Sequence, residues 1–119
     1  MNTQAMVIPK PALHRLLTNA RLQAPLRGTV FEIDFRPVVR VSAPDVDAVW
    51  FLSELDPEDF DTAQGLADFG LGPEVGPISL AELRDVRGTV GSLLEVDHAF
   101  TAEHTIKGYV AAIVAASAD

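Results

Sequence analysis

The sequence predicts an α+β fold, with a mainly antiparallel sheet of about four to five strands and three helices packed mostly on one face. Two observations indicate this class. Apolar residues recur at helical spacing near both ends of the chain, and at strand spacing in several short segments between them. Turn-forming residues separate these short segments, which is typical of antiparallel strands. The chain has 119 residues, which predicts a single domain over residues 1–119.

The first predicted helix spans residues 10–22. Pro9 suits the start of a helix, because the missing backbone N–H is not needed there. Apolar residues then recur at helical spacing: Leu13, Leu16, Leu17 and Ala20. Pro25 and Gly28 predict that residues 23–29 form a loop.

The next segment, residues 31–41, is predicted to be a half-buried strand. Its apolar residues all occupy odd positions: Phe31, Ile33, Phe35, Val39 and Val41. Pro37 cannot donate a backbone hydrogen bond, so we expect an edge or a break there. Residues 48–55 are the most strand-like segment of the chain, and a turn at residues 43–47 is expected to join the two strands in a hairpin.

The second half of the chain predicts a third strand, a loop, a short helix, a further strand and a last helix. A turn at residues 56–59 leads to the third strand at residues 62–69. Residues 70–77 are rich in glycine and proline and predict a loop. Ser79 and Glu82 have the spacing of a capping box.

The short helix opened by this capping box is expected to end near Gly88. Residues 93–100 predict another strand. Thr101 is expected to cap the last helix, in which apolar residues line one face: Ile106, Tyr109, Val110, Ile113 and Val114. The end of this helix, residues 115–119, is expected to fray.

Composition excludes several classes of site. The chain has no cysteine, so disulfides, thiolate metal sites and cysteine nucleophiles are excluded. Residues 1–8 lack the pattern of a signal peptide, and no apolar stretch approaches the ~20 residues that cross a bilayer. We therefore expect a cytoplasmic protein that does not contact a membrane.

The negative charge is concentrated in one part of the sequence. The net charge is −8, and residues 41–83 contain ten acidic residues and neither lysine nor arginine. Because proteins bind phosphate backbones through clustered lysine and arginine, direct nucleic-acid binding is not expected. The predicted partner is another protein, for example a basic nucleic-acid-binding protein.

No residue pattern predicts a catalytic, metal or cofactor site. In a calcium loop counted from Asp56, Phe60 stands where an oxygen ligand is needed and Asp61 where a glycine is needed. His98 and the neighbouring Asp97 are expected to point to opposite faces of a strand. No serine lies in a G-x-S-x-G motif, and the glycine-rich segments lack the phosphate-binding patterns.

The acidic segment and its one tryptophan predict an interaction surface. Its candidate residues are Asp45, Asp47, Trp50, Glu54, Asp56, Glu58, Asp59 and Asp61. Trp50 and Phe51 are adjacent on a predicted strand and point to opposite faces, so one is exposed unless both faces are covered. An exposed aromatic residue beside carboxylates would be a strong contact point for a partner.

About half of the chain resembles a bacterial family, domain of unknown function 2958. The resemblance lies in Pro37-Val38-Val39-Arg40-Val41, Pro44, Trp50, Glu54-Leu55-Asp56-Pro57-Glu58-Asp59, Gly65, Glu74-Val75-Gly76, Ser79-Leu80-Ala81-Glu82-Leu83, Arg87-Gly88, Gly91 and residues 95–100, with Ile8-Pro9-Lys10 before the first helix. Pro77 stands where the family usually has an aromatic residue, and Val96 replaces an arginine. The resemblance implies a setting on plasmids or conjugative elements and a compact mixed fold, but no activity.

Three functions are consistent with these features. The first is a non-enzymatic interaction or regulatory module of a bacterial mobile element. The second is an anti-defence inhibitor, anti-CRISPR or anti-restriction, that imitates nucleic acid. Duplex DNA has a charge every ~1.7 Å and same-face strand residues are ~7 Å apart, so mimicry needs several acidic elements side by side. The third is a carboxylate-dependent or metal-dependent enzyme, in which two or more of Glu54, Asp56, His98 and His104 would share a closed pocket.

Overall fold

The structure, a computed structural model, describes residues 6–43, 46–86 and 94–117. Within these ranges the elements are α1 (Lys10–Gln23), β1 (Val39–Ser42), β2 (Val49–Leu55), β3 (Thr62–Asp68), β4 (Pro73–Ser79), α2 (Leu80–Asp85), β5 (Glu95–Val96) and α3 (Ile106–Ala116). The five strands form one sheet in the order β4-β3-β2-β1-β5. Every neighbouring pair is antiparallel. The predicted α+β class is therefore confirmed.

Helices cover both faces of this sheet. On one face, Leu16 and Leu17 of α1 and residues of α2 share a core with Trp50 and Leu52 of β2. On the other face, α3 packs against Phe51, which lies in a second, smaller core. Two of the helices thus lie on one face, and the alternating side chains of β2 are buried on both sides because both faces are covered.

The predicted strand at residues 31–41 is wrong over most of its length. Only Val39–Ser42 joins the sheet, and Phe31 is 74% exposed. The side-chain amide of Gln23 forms two hydrogen bonds with the backbone of Ile33. Gln23 Oε1 accepts from the Ile33 N–H at 2.8 Å, and Gln23 Nε2 donates to the Ile33 carbonyl at 2.7 Å. These bonds satisfy backbone groups that a strand would pair with a neighbouring strand. Pro37 lies just before the strand begins, as its missing donor predicts.

The predicted loop at residues 70–77 is also wrong. Pro73–Ser79 pairs with the whole of β3, from Asp68 opposite Pro73 to Thr62 opposite Ser79. The prolines are tolerated because β4 is an edge strand. Its outer side has no neighbouring strand to which a backbone N–H would have to donate. The turn before β4 is formed by Gly70 and Gly72, whose φ angles are +85° and +115°.

The helix starts are set by side-chain caps. Ser79 Oγ accepts a hydrogen bond from the N–H of Glu82 at 3.2 Å, which confirms the predicted start of α2. The helix ends at Asp85, and its predicted end at Gly88 lies outside the described residues. The cap of α3 is Thr105, not Thr101: Thr105 Oγ1 accepts from the N–H of Gly108 at 3.2 Å.

The strand predicted at residues 93–100 is much shorter in the described part of the chain, where only Glu95–Val96 pairs with β1. Asp97 ends it, because its carboxylate accepts a hydrogen bond from the N–H of Ala99 at 3.0 Å and bends the chain into a turn. Among the described helices, none has the length and apolar character needed to cross a bilayer.

Candidate functional site

The candidate site is the loop that joins β2 to β3, residues 56–61, which we name the Phe60 loop. Phe60 has a φ of +54° and is the only non-glycine residue with a positive φ in the described ranges. Its side chain is 56% exposed. A bulky residue rarely adopts this conformation, which costs on the order of 1 kcal/mol or more and persists only where neighbouring contacts impose it. The loop therefore holds an aromatic ring in solvent on a constrained backbone.

Carboxylates of the loop itself impose this conformation. Asp56 Oδ1 accepts from the N–H of Glu58 at 2.8 Å, and the Asp56 carbonyl accepts from the N–H of Phe60 at 2.9 Å. Asp59 Oδ1 accepts from the N–H groups of Asp61 and Thr62 at 2.8 and 2.9 Å, and its Oδ2 accepts from Thr62 Oγ1 at 2.6 Å. Short side chains that bond nearby backbone in this way stabilise turns.

Asp61 anchors the loop to the start of α2. Its Oδ2 accepts from Ser79 Oγ at 2.8 Å, and its Oδ1 accepts from the N–H of Ala81 at 2.8 Å. The Asp61 carbonyl also accepts from the N–H of Leu80 at 2.9 Å. A carboxylate is favourable at a helix N-terminus, where backbone N–H groups lack partners. Asp61 is thus a structural residue of the site.

The hydrogen bonds to Asp59 lower the pKa of its carboxyl below the ordinary value of 3.8. The largest cause is the Thr62 hydroxyl, followed by the backbone N–H groups of Thr62 and Asp61. Each donor stabilises the charged form. Asp59 consequently keeps its negative charge beside Phe60 throughout the neutral pH range.

Two of the eight residues predicted for the interaction surface are buried. Trp50 is 4% exposed and makes an edge contact with Phe69, with ring centroids 5.5 Å apart. Glu54 is also 4% exposed and forms an ion pair with Arg27. An exposed aromatic residue does lie among the carboxylates, but it is Phe60 and not Trp50.

The remaining predicted residues are divided between the two ends of β2. Asp56, Glu58, Asp59 and Asp61 lie together in the Phe60 loop, whereas Asp47 lies in the turn before β2. The seven residues of β2 separate these ends by about 20 Å. Asp45 lies outside the described residues. Among the described residues, Asp47 is therefore separated from the carboxylates of the Phe60 loop by the length of β2.

Phe60 could have been recognised in the sequence by its place in the run Glu58-Asp59-Phe60-Asp61, since an aromatic residue between carboxylates in a turn has little to pack against. In the part of the chain that the structure describes, no group of three His, Cys, Asp or Glu residues could hold a metal ion. The oxygens of Asp59 and Asp61 are bound to N–H and O–H donors instead.

Of the four residues that the enzyme hypothesis requires in one closed pocket, only the two carboxylates line the same cleft. Glu54 and Asp56 line one open cleft of about 380 Å³ beside α1. Both carboxylates have partners, Arg27 for Glu54 and the N–H of Glu58 for Asp56. His98 and His104 are exposed and do not line this cleft. The cleft therefore has no histidine beside its carboxylates.

Comparison with known proteins identifies the family but no characterised relative. No curated protein and no solved structure matches the chain. One family model does match, over residues 7–118, and its description is protein of unknown function (DUF2958). Since the match covers nearly the whole chain, including the sheet, the Phe60 loop and the helices, the chain belongs to this family.

Proposed function

We propose that the protein is a non-enzymatic interaction or regulatory module of a bacterial mobile element, and that it binds a basic protein through the Phe60 loop. The observation that supports this proposal is the Phe60 ring, held in solvent at a positive φ by the carboxylates around it. Backbone strain of this kind is typical of functional loops. The partner supplies an apolar pocket for the ring, with lysine or arginine residues at its rim.

The loop is already ordered before a partner binds. Hydrogen bonds from Glu58, Asp61 and Thr62 fix the carboxylates of Asp56 and Asp59. Binding an ordered loop loses less conformational entropy than binding a flexible one. An aromatic residue inserted in a pocket at the centre of an interface typically contributes about 2 kcal/mol or more when measured by truncation to alanine.

The charges around Phe60 define the partner. Glu58 and Asp59 are exposed beside the ring, and Glu82 is exposed in the first turn of α2, which Asp61 links to the loop. Such a surface attracts a basic patch, and the attraction falls as salt is added. A basic nucleic-acid-binding protein has the required charge.

The arrangement argues against the anti-defence alternative. Mimicry of duplex DNA requires carboxylates side by side over a length of several phosphates. Asp47 and the Phe60 loop are at opposite ends of β2 instead. A compact contact centred on one aromatic ring agrees better with this division.

Quantitative affinity capture from the native host tests the proposal. The bait is the wild-type chain, and the variant is Phe60→Ala. Leu71→Ala is the matched control, because Leu71 is an exposed apolar residue in the β3–β4 turn, away from the Phe60 loop. A protein captured by wild type and Leu71→Ala but lost with Phe60→Ala supports the proposal. A set of captured proteins that is identical for all three baits contradicts it.

A further inference from the structure

A cavity of about 430 Å³, open to solvent on one side, lies between the segment that follows α1, the sheet and α3. Its apolar walls are Ile33, Phe35, Val75, Ile106 and Val110. Its charged lining has three carboxylates and two cations: Glu32, Asp34, Glu54, Arg27 and Lys107. The side chain of Gln64 also lines it. The volume falls in the range of sites for small organic molecules, roughly 300–1,000 Å³, and such sites combine apolar walls with a few polar groups.

Glu54 is buried, and one of its two carboxylate oxygens has no partner among the described residues. Glu54 Oε1 accepts from Arg27 Nη2, and no described residue binds Oε2. Yet no side-chain oxygen in the described ranges is sealed from solvent without a hydrogen-bond partner. Oε2 must therefore reach one of the two clefts that Glu54 lines, this cavity or the cleft beside α1, although Glu54 as a whole is only 4% exposed.

The existing ion pair leaves the carboxylate incompletely compensated. The Arg27 side chain is 44% exposed and also lies 3.9 Å from a carboxylate oxygen of Glu32, so one guanidinium serves two acids. Buried carboxylates are stabilised when their remaining lone pairs receive further hydrogen bonds. A second cation at Oε2 would provide them.

Gln64 adds a second polar group at the same place. It is directly opposite Glu54 in the β2–β3 pairing, so the two side chains start about 5 Å apart on the same face of the sheet. Its side-chain amide makes no hydrogen bond to the described residues and lines the cavity. A carboxylate and an amide side by side can accept from the N–H groups of one planar cation.

We propose that this cavity binds a small organic cation, an amidine, guanidine or amine attached to an apolar body. The charged group donates to Glu54 Oε2 and to the side-chain oxygen of Gln64. The apolar body packs against Ile33, Phe35 and Val110. This site is distinct from the Phe60 loop and does not depend on its proposed function.

Titration with benzamidine, followed by NMR of the backbone and side-chain amides, tests the site. Benzamide is the matched neutral probe, because it has almost the same shape and no charge. We expect benzamidine to shift the resonances of Gln64 and Gly65 and to bind at least about tenfold more tightly than benzamide, as a hydrogen bond to a charged group allows. Absence of benzamidine binding up to millimolar concentrations, or equal affinity for benzamide, overturns the proposal.

Three variants separate recognition by Glu54 from effects on folding. Glu54→Gln should weaken benzamidine binding at least about tenfold. Because that change also removes the charge on Glu54 that pairs with Arg27, Val75→Trp provides a second test. Val75 is exposed at the cavity wall, and the larger side chain should obstruct the cavity with the ion pair intact. Val114→Trp is the control, since Val114 is exposed on α3 and does not line the cavity. Undiminished binding to folded Val75→Trp, or equal loss with Val114→Trp, contradicts the assignment.

Discussion

The carboxylate of Asp59 binds Thr62 twice, accepting from its backbone N–H at 2.9 Å and from its hydroxyl at 2.6 Å. These bonds close the loop at its junction with β3 and hold Phe60, which lies between Asp59 and Thr62 in sequence, at its positive φ. The exposure of the ring is thus produced by polar contacts of its neighbours, and not by packing of the ring itself.

The lowered pKa of Asp59 predicts how pH affects this loop. A carboxyl whose pKa is lower in the folded chain stabilises it above the unfolded pKa, and this contribution is lost as pH falls through the folded pKa. The thermal stability of wild type should therefore exceed that of Asp59→Asn at neutral pH, and the difference should shrink below about pH 3.8. Unfolding scans of both proteins between pH 7 and pH 2.5 measure it, and a constant difference would contradict this account.

The hydrogen bonds that Asp61 accepts at the start of α2 predict a cost to stability when that carboxylate is removed. Asp61→Ala should lower the free energy of unfolding by about 0.5–2 kcal/mol, the usual effect of losing a helix cap. Glu58→Lys should change it by less than about 0.5 kcal/mol, because Glu58 is exposed and only its backbone N–H is bound in the loop. Denaturant unfolding compares the two variants. Because Glu58→Lys should leave the fold intact, it is the suitable charge reversal for binding studies.

Burial of Trp50 predicts that it contributes to stability. Trp50→Ala removes a side chain that is 4% exposed and packed in the larger core, so the loss should be about 3–5 kcal/mol. Denaturant unfolding followed by circular dichroism measures it, with Phe60→Ala as the exposed aromatic control. A loss below about 1 kcal/mol would show that Trp50 is not a core residue.

A close approach of two strands predicts that Gly65 cannot be replaced. A Cβ atom at Gly65 would lie 1.9 Å from the carbonyl oxygen of Phe51, which is backbone and cannot move aside alone. Gly65→Ala should therefore separate β3 from β2 and destabilise the fold strongly. Gly76→Ala is the control, because a Cβ there meets nothing within 4 Å. Thermal unfolding distinguishes them, and equal melting temperatures would contradict this close contact.

Sequence patterns predicted the elements whose stability is local. The helical spacing of α1, the run of strand-forming residues in β2 and the capping serine of α2 each depend on residues close together in the chain. The strand predicted at residues 31–41 failed because Gln23, outside that segment, satisfies the backbone of Ile33. The loop predicted at residues 70–77 failed because prolines are acceptable on an edge strand, and edge position is a property of the whole sheet.

The candidate site was predicted only where it depends on local sequence. The carboxylates of the Phe60 loop lie within six residues of each other, so the sequence shows them as a cluster. The exposure of Phe60 depends on a hydrogen-bond arrangement that spacing does not specify. Glu54 was expected at the surface, but its partner Arg27 is 27 positions away, and no local pattern indicates such a pair.

The affinity of the purified partner for Phe60→Ala tests the account most directly. With the captured protein in hand, isothermal titration should give a loss of at least about tenfold for Phe60→Ala, whereas Leu71→Ala binds like wild type. Glu58→Lys should weaken binding more at low salt than at high salt. Affinity for Phe60→Ala equal to that of wild type would contradict the claim that this ring is the centre of the interface.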